Sequence, residues 1–189
     1  NNAQGKTNIL EAIYFLGITK SHRTAVDFEL LKEQSDFFRV SGSIKTDYDY
    51  NLQINYEKNR KKCFIDGNKQ NKIENYIGKM KVIMFCPDDL SLFKGLPVER
   101  RNYLDIQIEQ FSLIGNKYYT VLNEFNNILK KRNNILKNTS SGLMIDDMYF
   151  DVLTQFLINK IVYIYKSRKK YVDRLNDFIG DIYFKLTGY

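Results

Sequence analysis

The chain opens Asn1-Asn2-Ala3-Gln4-Gly5-Lys6-Thr7-Asn8, a constellation suited to gripping phosphate. Gly5, Lys6 and Thr7 match the end of the pattern G-x-x-x-x-G-K-[ST], in which a glycine-kinked loop turns successive backbone N–H groups into one concavity. Asn1 to Asn8 would wrap the phosphates of ATP. Within that stretch Lys6 supplies a point charge to the β- and γ-phosphates, and Thr7 supplies a hydroxyl to Mg²⁺, a cation that keeps most of its waters. The first glycine of the pattern would stand one position before Asn1. The sequence therefore reads as a piece cut inside its own nucleotide site, without the strand that leads into such a loop.

Such a loop needs a helix behind it. Ile9, Leu10, Ile13 and Leu16 recur at helical spacing with Ala12, Tyr14 and Phe15 on other faces, which predicts a buried helix. Its N-terminus adds partial positive charge beneath the phosphates, and Gly17 is the expected stop. A polar, basic loop follows over Thr19-Lys20-Ser21-His22-Arg23-Thr24. From Phe37 to Asp66 the period changes to two: Tyr48, Tyr50, Leu52, Ile54 and Tyr56 share one face, and turns at Lys58-Asn59-Arg60 and Asp66-Gly67-Asn68 predict an antiparallel meander. The continuously apolar Val82-Ile83-Met84-Phe85 predicts a central strand over 81–86. Asp88-Asp89-Leu90 reads as the cap of a short helix rather than a metal site, and Pro97 as the first turn of another.

Beyond this point the pattern is helical. Tyr118, Leu122, Phe125, Leu129 and Leu136 recur over 116–137, and Leu153, Leu157, Ile161, Ile164, Val172, Leu175, Ile179, Ile182 and Leu186 over 148–186. Two long amphipathic helices on a short connection pack antiparallel. The expected organisation is α/β, with a P-loop lobe carrying an antiparallel β-meander over residues 1–95 and a helical lobe over 96–189.

The formal net charge of +7 suits a polyanionic partner. Arg60, Lys61 and Lys62 crowd one hairpin tip, and Lys130, Lys131 and Arg132 one helix face. Either cluster could contact a phosphate backbone, or be solvated charge that keeps an edge from aggregating. Hydrophobic residues make up 43% of the chain, enough to exclude a disordered tail. Cys63 and Cys86 lack C-x-x-C spacing and stand with a single His, which argues against zinc and for reduced core thiols in an intracellular protein. No apolar run approaches a membrane span.

Three segments resemble the RecF family of bacterial recombination and gap-repair ATPases. They are Asn2-Ala3-Gln4-Gly5-Lys6-Thr7-Asn8 with Leu10-Glu11-Ala12-Ile13-Tyr14; Lys20-Ser21-His22-Arg23-Thr24; and Phe85-Cys86-Pro87-Asp88-Asp89-Leu90 with Lys94-Gly95-Leu96-Pro97 and Arg100-Arg101-Asn102-Tyr103-Leu104-Asp105. Lys131-Arg132-Asn133 is similar as well. The resemblance implies an ABC-type ATPase head related to the SMC proteins, cytoplasmic, closing as an ATP-dependent homodimer on double-stranded DNA. It also implies a RecR-like mediator as partner and recombinase loading at gaps as the outcome. Arg23 falls where such heads carry an arginine that couples nucleotide to DNA. The family's signature segment and Walker B carboxylates have no counterpart in this sequence, so the resemblance implies weak ATPase activity for a full-length protein and none for these 189 residues. Two other readings fit the residues less well. One is a small nucleotide-kinase-like phosphotransferase using Asp88 or Asp89 on Mg²⁺ and Arg100 or Arg101 as a lid. The other is a non-enzymatic DNA- or partner-binding module.

Overall fold

The structure is a computed structural model that describes residues 5–45, 49–110, 115–140 and 146–188. The chain divides into two compact units, Asn1–Asn116 and Lys117–Tyr189. That division falls later than the boundary near residue 95 expected from composition. The reason lies in helix α3 (Pro97–Gln110), whose last turn buries Ile108, Glu109 and Gln110 within the first unit.

In the first unit, helix α1 (Lys6–Ile18) precedes a four-stranded antiparallel sheet of β1 (Phe37–Ile44), β2 (Tyr50–Glu57), β3 (Arg60–Ile65) and β4 (Asn68–Lys69), in the order β1-β2-β3-β4. Strict alternation sets the register. Ile44 pairs with Tyr50 at one end of β1–β2 and Phe37 with Glu57 at the other, and Glu57 then meets Arg60 in β3. Lys58 and Asn59 both take positive φ (49° and 59°), as do Asp66 and Gly67 (48° and 77°). Two left-handed residues in succession form the turn whose twist matches the flanking strands. The inward face of β2 places Leu52, Ile54 and Tyr56 in the core with Phe15 and Leu16 of α1, Cys63 and Tyr76.

Two expectations for α1 fail. The helix is buried only over Tyr14–Ile18, while Ile9, Leu10 and Ile13 are 62%, 57% and 42% exposed. Gly17 does not stop it either; the helix runs on to Ile18, and Thr19 closes it in a left-handed conformation with its N–H on Phe15 O (2.8 Å). Gly17 is a packing residue. A Cβ there would lie 2.5 Å from Val82 Cγ2, so only hydrogen lets the 80–82 segment lie against the helix.

The run 81–86, expected as a central strand, joins no β-ladder among the described residues. Helices hold it instead: Val82 abuts the Gly17 backbone of α1, and the Val82 N–H donates to Gln110 Oε1 of α3 (2.7 Å). Ile83 and Phe85 point outward, 68% and 76% exposed. Apolarity encodes burial but does not specify which backbone supplies the hydrogen bonds, and here the meander pairs its strands with one another. Residues Pro87–Leu90 form a 3₁₀ turn, followed by the short helix α2 (Ser91–Lys94).

The second unit holds most of α4 (Gly115–Ser140) and all of α5 (Asp147–Thr187). Tyr118 stacks at a tilt on Tyr163 (6.5 Å between ring centres), Glu124 pairs with Lys160, and Arg132 Nε donates to Thr154 Oγ1 (3.2 Å). Partner numbers fall along α5 as they rise along α4, so the helices are antiparallel, as the sequence pattern requires. The seam is closed by Tyr118, Val121, Leu153, Leu157 and Ile164. Asp146 caps α5 by accepting from the Tyr149 N–H (3.0 Å). With 41 residues against 26, α5 outruns α4, and every described residue from 172 onward is exposed.

Gly17→Ala forces a methyl group into Val82. Its expected cost is about 1–3 kcal/mol, the usual range for overpacking a filled contact. Urea unfolding should show the loss, and Gly17→Ala/Val82→Ala should regain most of it; a double variant no more stable than the single one would contradict this packing role.

Candidate nucleotide site

Gly5 takes φ 78°, the left-handed conformation that other residues adopt only with strain, and a Cβ added there would meet nothing within 4 Å. The constraint at Gly5 is therefore backbone conformation, with open space on its outer side. The first intrahelical bond of α1 runs from Ile9 N to Gly5 O (3.0 Å). The amides of Lys6, Thr7 and Asn8 thus precede the helical ladder, and helix ends require such groups to find partners outside the helix. No acidic side chain stands in this first turn, and Lys6, Thr7 and Asn8 are all exposed. A glycine bend, amides ahead of the helical ladder, an ammonium and a hydroxyl at one helix end fit a phosphate chain with its Mg²⁺. Lys6 and Thr7 would hold them. Asn1, Asn2, Ala3 and Gln4 lie outside the described residues.

Arg23 reaches this end of α1. Its Nη1 donates to Asn8 Oδ1 (3.3 Å) and its Nε lies 3.8 Å from Glu11 Oε2, with half the side chain in solvent. Glu11 shapes the loop beyond: Glu11 Oε1 accepts from Ser21 Oγ (2.5 Å) and from the His22 N–H (3.0 Å). One carboxylate thus fixes the loop that carries Arg23 beside the helix that carries Lys6.

The basic clusters come apart in the fold. Along β3 successive side chains face opposite sides. Lys61 turns inward, where its Nζ donates to Thr19 O (2.6 Å), pairs with Asp27 (2.8 Å) and sits 5.6 Å above the Phe15 ring. Lys62 turns outward onto Glu57 (3.4 Å), and Arg60 is exposed. In α4, Lys130 and Lys131 are exposed, while Arg132 is engaged with Thr154 and lies 4.5 Å over Phe150. Arg100, a candidate lid residue from sequence, donates to Leu92 O and Gly95 O and closes the corner between α2 and α3.

Sequence pattern missed two groups, because both join segments far apart in the chain. Lys20 pairs with the buried Glu109 (3.0 Å), tying the loop after α1 to α3. Burial raises the Glu109 carboxyl above its ordinary range, Lys20 opposes that rise and Asp105 adds to it. The second group is His22, Cys86 and Asp89. Cys86 is only partly buried, contrary to the expected core thiol, and its Sγ lies 2.7 Å from His22 Nε2. Cys63 is fully buried, and burial pushes its thiol up to about 11.

Thirty-seven per cent of residues are identical over 188 positions, 99% of this chain, to the DNA replication and repair protein RecF of Lactobacillus johnsonii. The chain resembles RecF over nearly all of its residues. RecF of Shouchella clausii is likewise 37% identical, over 98% of the chain. Solved structures of the recombination mediator protein RecF in the RecFOR pathway, one of them described as RecF-ATP, superpose with TM-scores of 0.88 at 28–29% identity over 99% of the chain. No family model matches. The chain spans about half the length of the RecF proteins it matches. The architecture is accordingly the expected one, an α/β fold like part of an ATPase head, with an antiparallel sheet and a long helix pair. No helix among the described residues is long and apolar enough to cross a membrane.

Tyr14, at the centre of this loop network, is pushed up to about 12, first by burial and then by the negative charge of Asp89 and Glu11. A folded value above the unfolded one near 10 means stability that is complete below pH 10 and lost as pH rises through about 12. Urea unfolding between pH 9 and 12 should therefore decline more shallowly for Tyr14→Phe than for the parent chain; parallel declines would exclude Tyr14 as a source.

Proposed function

We propose that a full-length RecF-family protein carrying this sequence binds ATP and Mg²⁺ through Asn1 to Asn8, with Lys6 on the phosphates and Thr7 on the metal, and uses the nucleotide to pair two heads on duplex DNA. In this reading the dimer marks DNA near gaps and, with a RecR-like mediator, helps to load the recombinase. The residues 1–116 unit is the nucleotide-binding side, and the helical unit is the second lobe. The observation that carries the reading is the exposed Gly5-Lys6-Thr7 end of α1 in a chain that superposes on RecF described with ATP.

Charge neutralisation at Lys6 and a left-handed bend at Gly5 supply binding. Phosphoryl transfer also needs an oriented water and a carboxylate at the metal. Asp89, one of the carboxylates considered from sequence, has Oδ2 accepting from the Cys86 N–H (2.7 Å) and Oδ1 turned toward His22 (4.0 Å). Hydrolysis by the 189-residue chain is thus expected to be negligible, with weak ATPase activity in the full-length protein. Arg23, bonded to Asn8 within the first turn of α1, is the residue proposed to pass the state of the phosphates outward.

In the full-length protein, Lys6→Ala is expected to weaken ATP binding at least about tenfold, the loss of one strong charge-assisted contact. Calorimetry checks this, and unchanged ATP affinity would refute the proposed site. ATP-dependent retention on duplex DNA should fall in parallel.

For DNA, Arg60, Lys62, Lys130 and Lys131 remain available from the two clusters, whereas Lys61 and Arg132 are held internally. Each of Arg60→Ala, Lys62→Ala, Lys130→Ala and Lys131→Ala that removes a phosphate contact should lower the slope of log affinity against log salt by about one. Lys61→Met should leave that slope unchanged and lower stability instead. A salt slope that drops only for Lys61→Met would reverse this assignment.

A further inference from the structure

Away from Gly5 and Lys6, the loop after α1 and the turn after residue 85 bring three unlike donors together. His22 Nε2 lies 2.7 Å from Cys86 Sγ and 4.0 Å from Asp89 Oδ1, and one ligating atom from each residue fits within 4.8 Å of the others. We propose that His22, Cys86 and Asp89 bind a borderline-soft divalent cation, Zn²⁺ foremost, through Nε2, Sγ and Oδ1.

The donors are held in place before any ion arrives. Cys86 and Asp89 sit on one closed turn, in which Asp89 Oδ2 accepts from the Cys86 N–H (2.7 Å) and the Asp89 N–H donates to Cys86 O (3.0 Å). That leaves Asp89 Oδ1 directed at His22. The backbone of His22 is tied to Glu11, and its ring stands edge-on to Tyr14 (5.5 Å between ring centres, 78° between planes). Both His22 and Asp89 are mostly buried, with side chains 26% and 18% exposed, so an ion here would be partly shielded from water.

Donor type selects the ion. Thiolate and imidazole favour Zn²⁺ over Mg²⁺ or Ca²⁺, and three protein ligands leave a fourth tetrahedral position for water. Tetrahedral Zn²⁺ sets N···S and N···O separations of about 3.5 Å. The present 2.7 Å would open and the present 4.0 Å would close, each by less than about 1 Å, within reach of side-chain rotation. Binding replaces the Cys86 S–H bond with a sulfur–metal bond; the proton goes to solvent and no group is oxidised or reduced. The ion would clip together segments 64 residues apart, so Zn²⁺ should raise apparent stability by mass action.

The test is titration of the chain with Co²⁺, without nucleotide, read by absorption. A thiolate-to-cobalt charge-transfer band that saturates at one equivalent and is bleached by Zn²⁺ is expected. The band should be lost in Cys86→Ser, weakened in His22→Gln and Asp89→Asn, and kept in Cys63→Ser. A second measurement uses the parent chain alone: Zn²⁺ should slow alkylation of Cys86 about tenfold or more without affecting Cys63. No charge-transfer band, a band that survives Cys86→Ser, or a Cys86 alkylation rate indifferent to Zn²⁺ would each overturn the site. Since no ATP is present, failure here leaves the nucleotide reading standing.

Discussion

The first unit depends on the burial of one helical turn. Tyr14 to Ile18 are buried, Phe15 and Leu16 among them packing with Leu52 and Ile54 of β2 and with Tyr76, and each large apolar side chain placed there contributes roughly 2 kcal/mol. Apolar packing alone would leave the carbonyls at the end of that turn without partners. Three polar contacts answer for them: Tyr76 OH donates to Leu16 O (2.8 Å), the Thr19 N–H to Phe15 O, and Lys61 Nζ to Thr19 O. Helix, sheet and the 73–76 turn are therefore fixed to one another at this turn. The orientation of Gly5 and Lys6, three turns away, follows from it.

The same turn explains why basic residues adjacent in sequence have different roles. Lys61 cannot serve both as the cation that completes a helix end and as a surface charge for a polyanion. Strand alternation makes the choice, since Lys61 shares the face of Cys63 while Arg60 and Lys62 share the other. In α4 the helical period separates Arg132, which packs over Phe150, from Lys130 and Lys131. Charge runs read from sequence give the number of cations. Only the period of the element says which of them reach solvent.

Local patterns in the sequence specified the elements. Period-two alternation from Phe37 to Ile65, paired turn residues at 58–59 and 66–67, and three- and four-residue spacing in α4 and α5 gave the meander and the antiparallel helices, because each signal arises within a few residues of where it acts. The left-handed bend at Gly5 ahead of α1 was legible for the same reason. Contacts between distant segments were not legible. Gly17 looked like a helix stop, since nothing near it in sequence announces Val82. The apolar run 81–86 looked like a central strand, since composition cannot reveal that Gln110 would take its amide. Cys86 looked like a core thiol because His22 stands 64 residues earlier. The partly exposed N-terminal half of α1 was misjudged because its apolar residues encircle the helix, which reads as burial whether or not anything covers them.

That half-covered helix is a cantilever. It is built in at Ile18 and, among the described residues, exposed from Gly5 to Leu10, so the resistance of its backbone to opening must decline toward the tip, where buried contacts are fewest. A phosphate chain seated at the tip would supply the missing support as well as cancel charge, and part of its binding free energy would go into stiffening the beam. Occupancy would then reach the Asn8–Arg23 contact as a change in rigidity, with no displacement of the built-in end required.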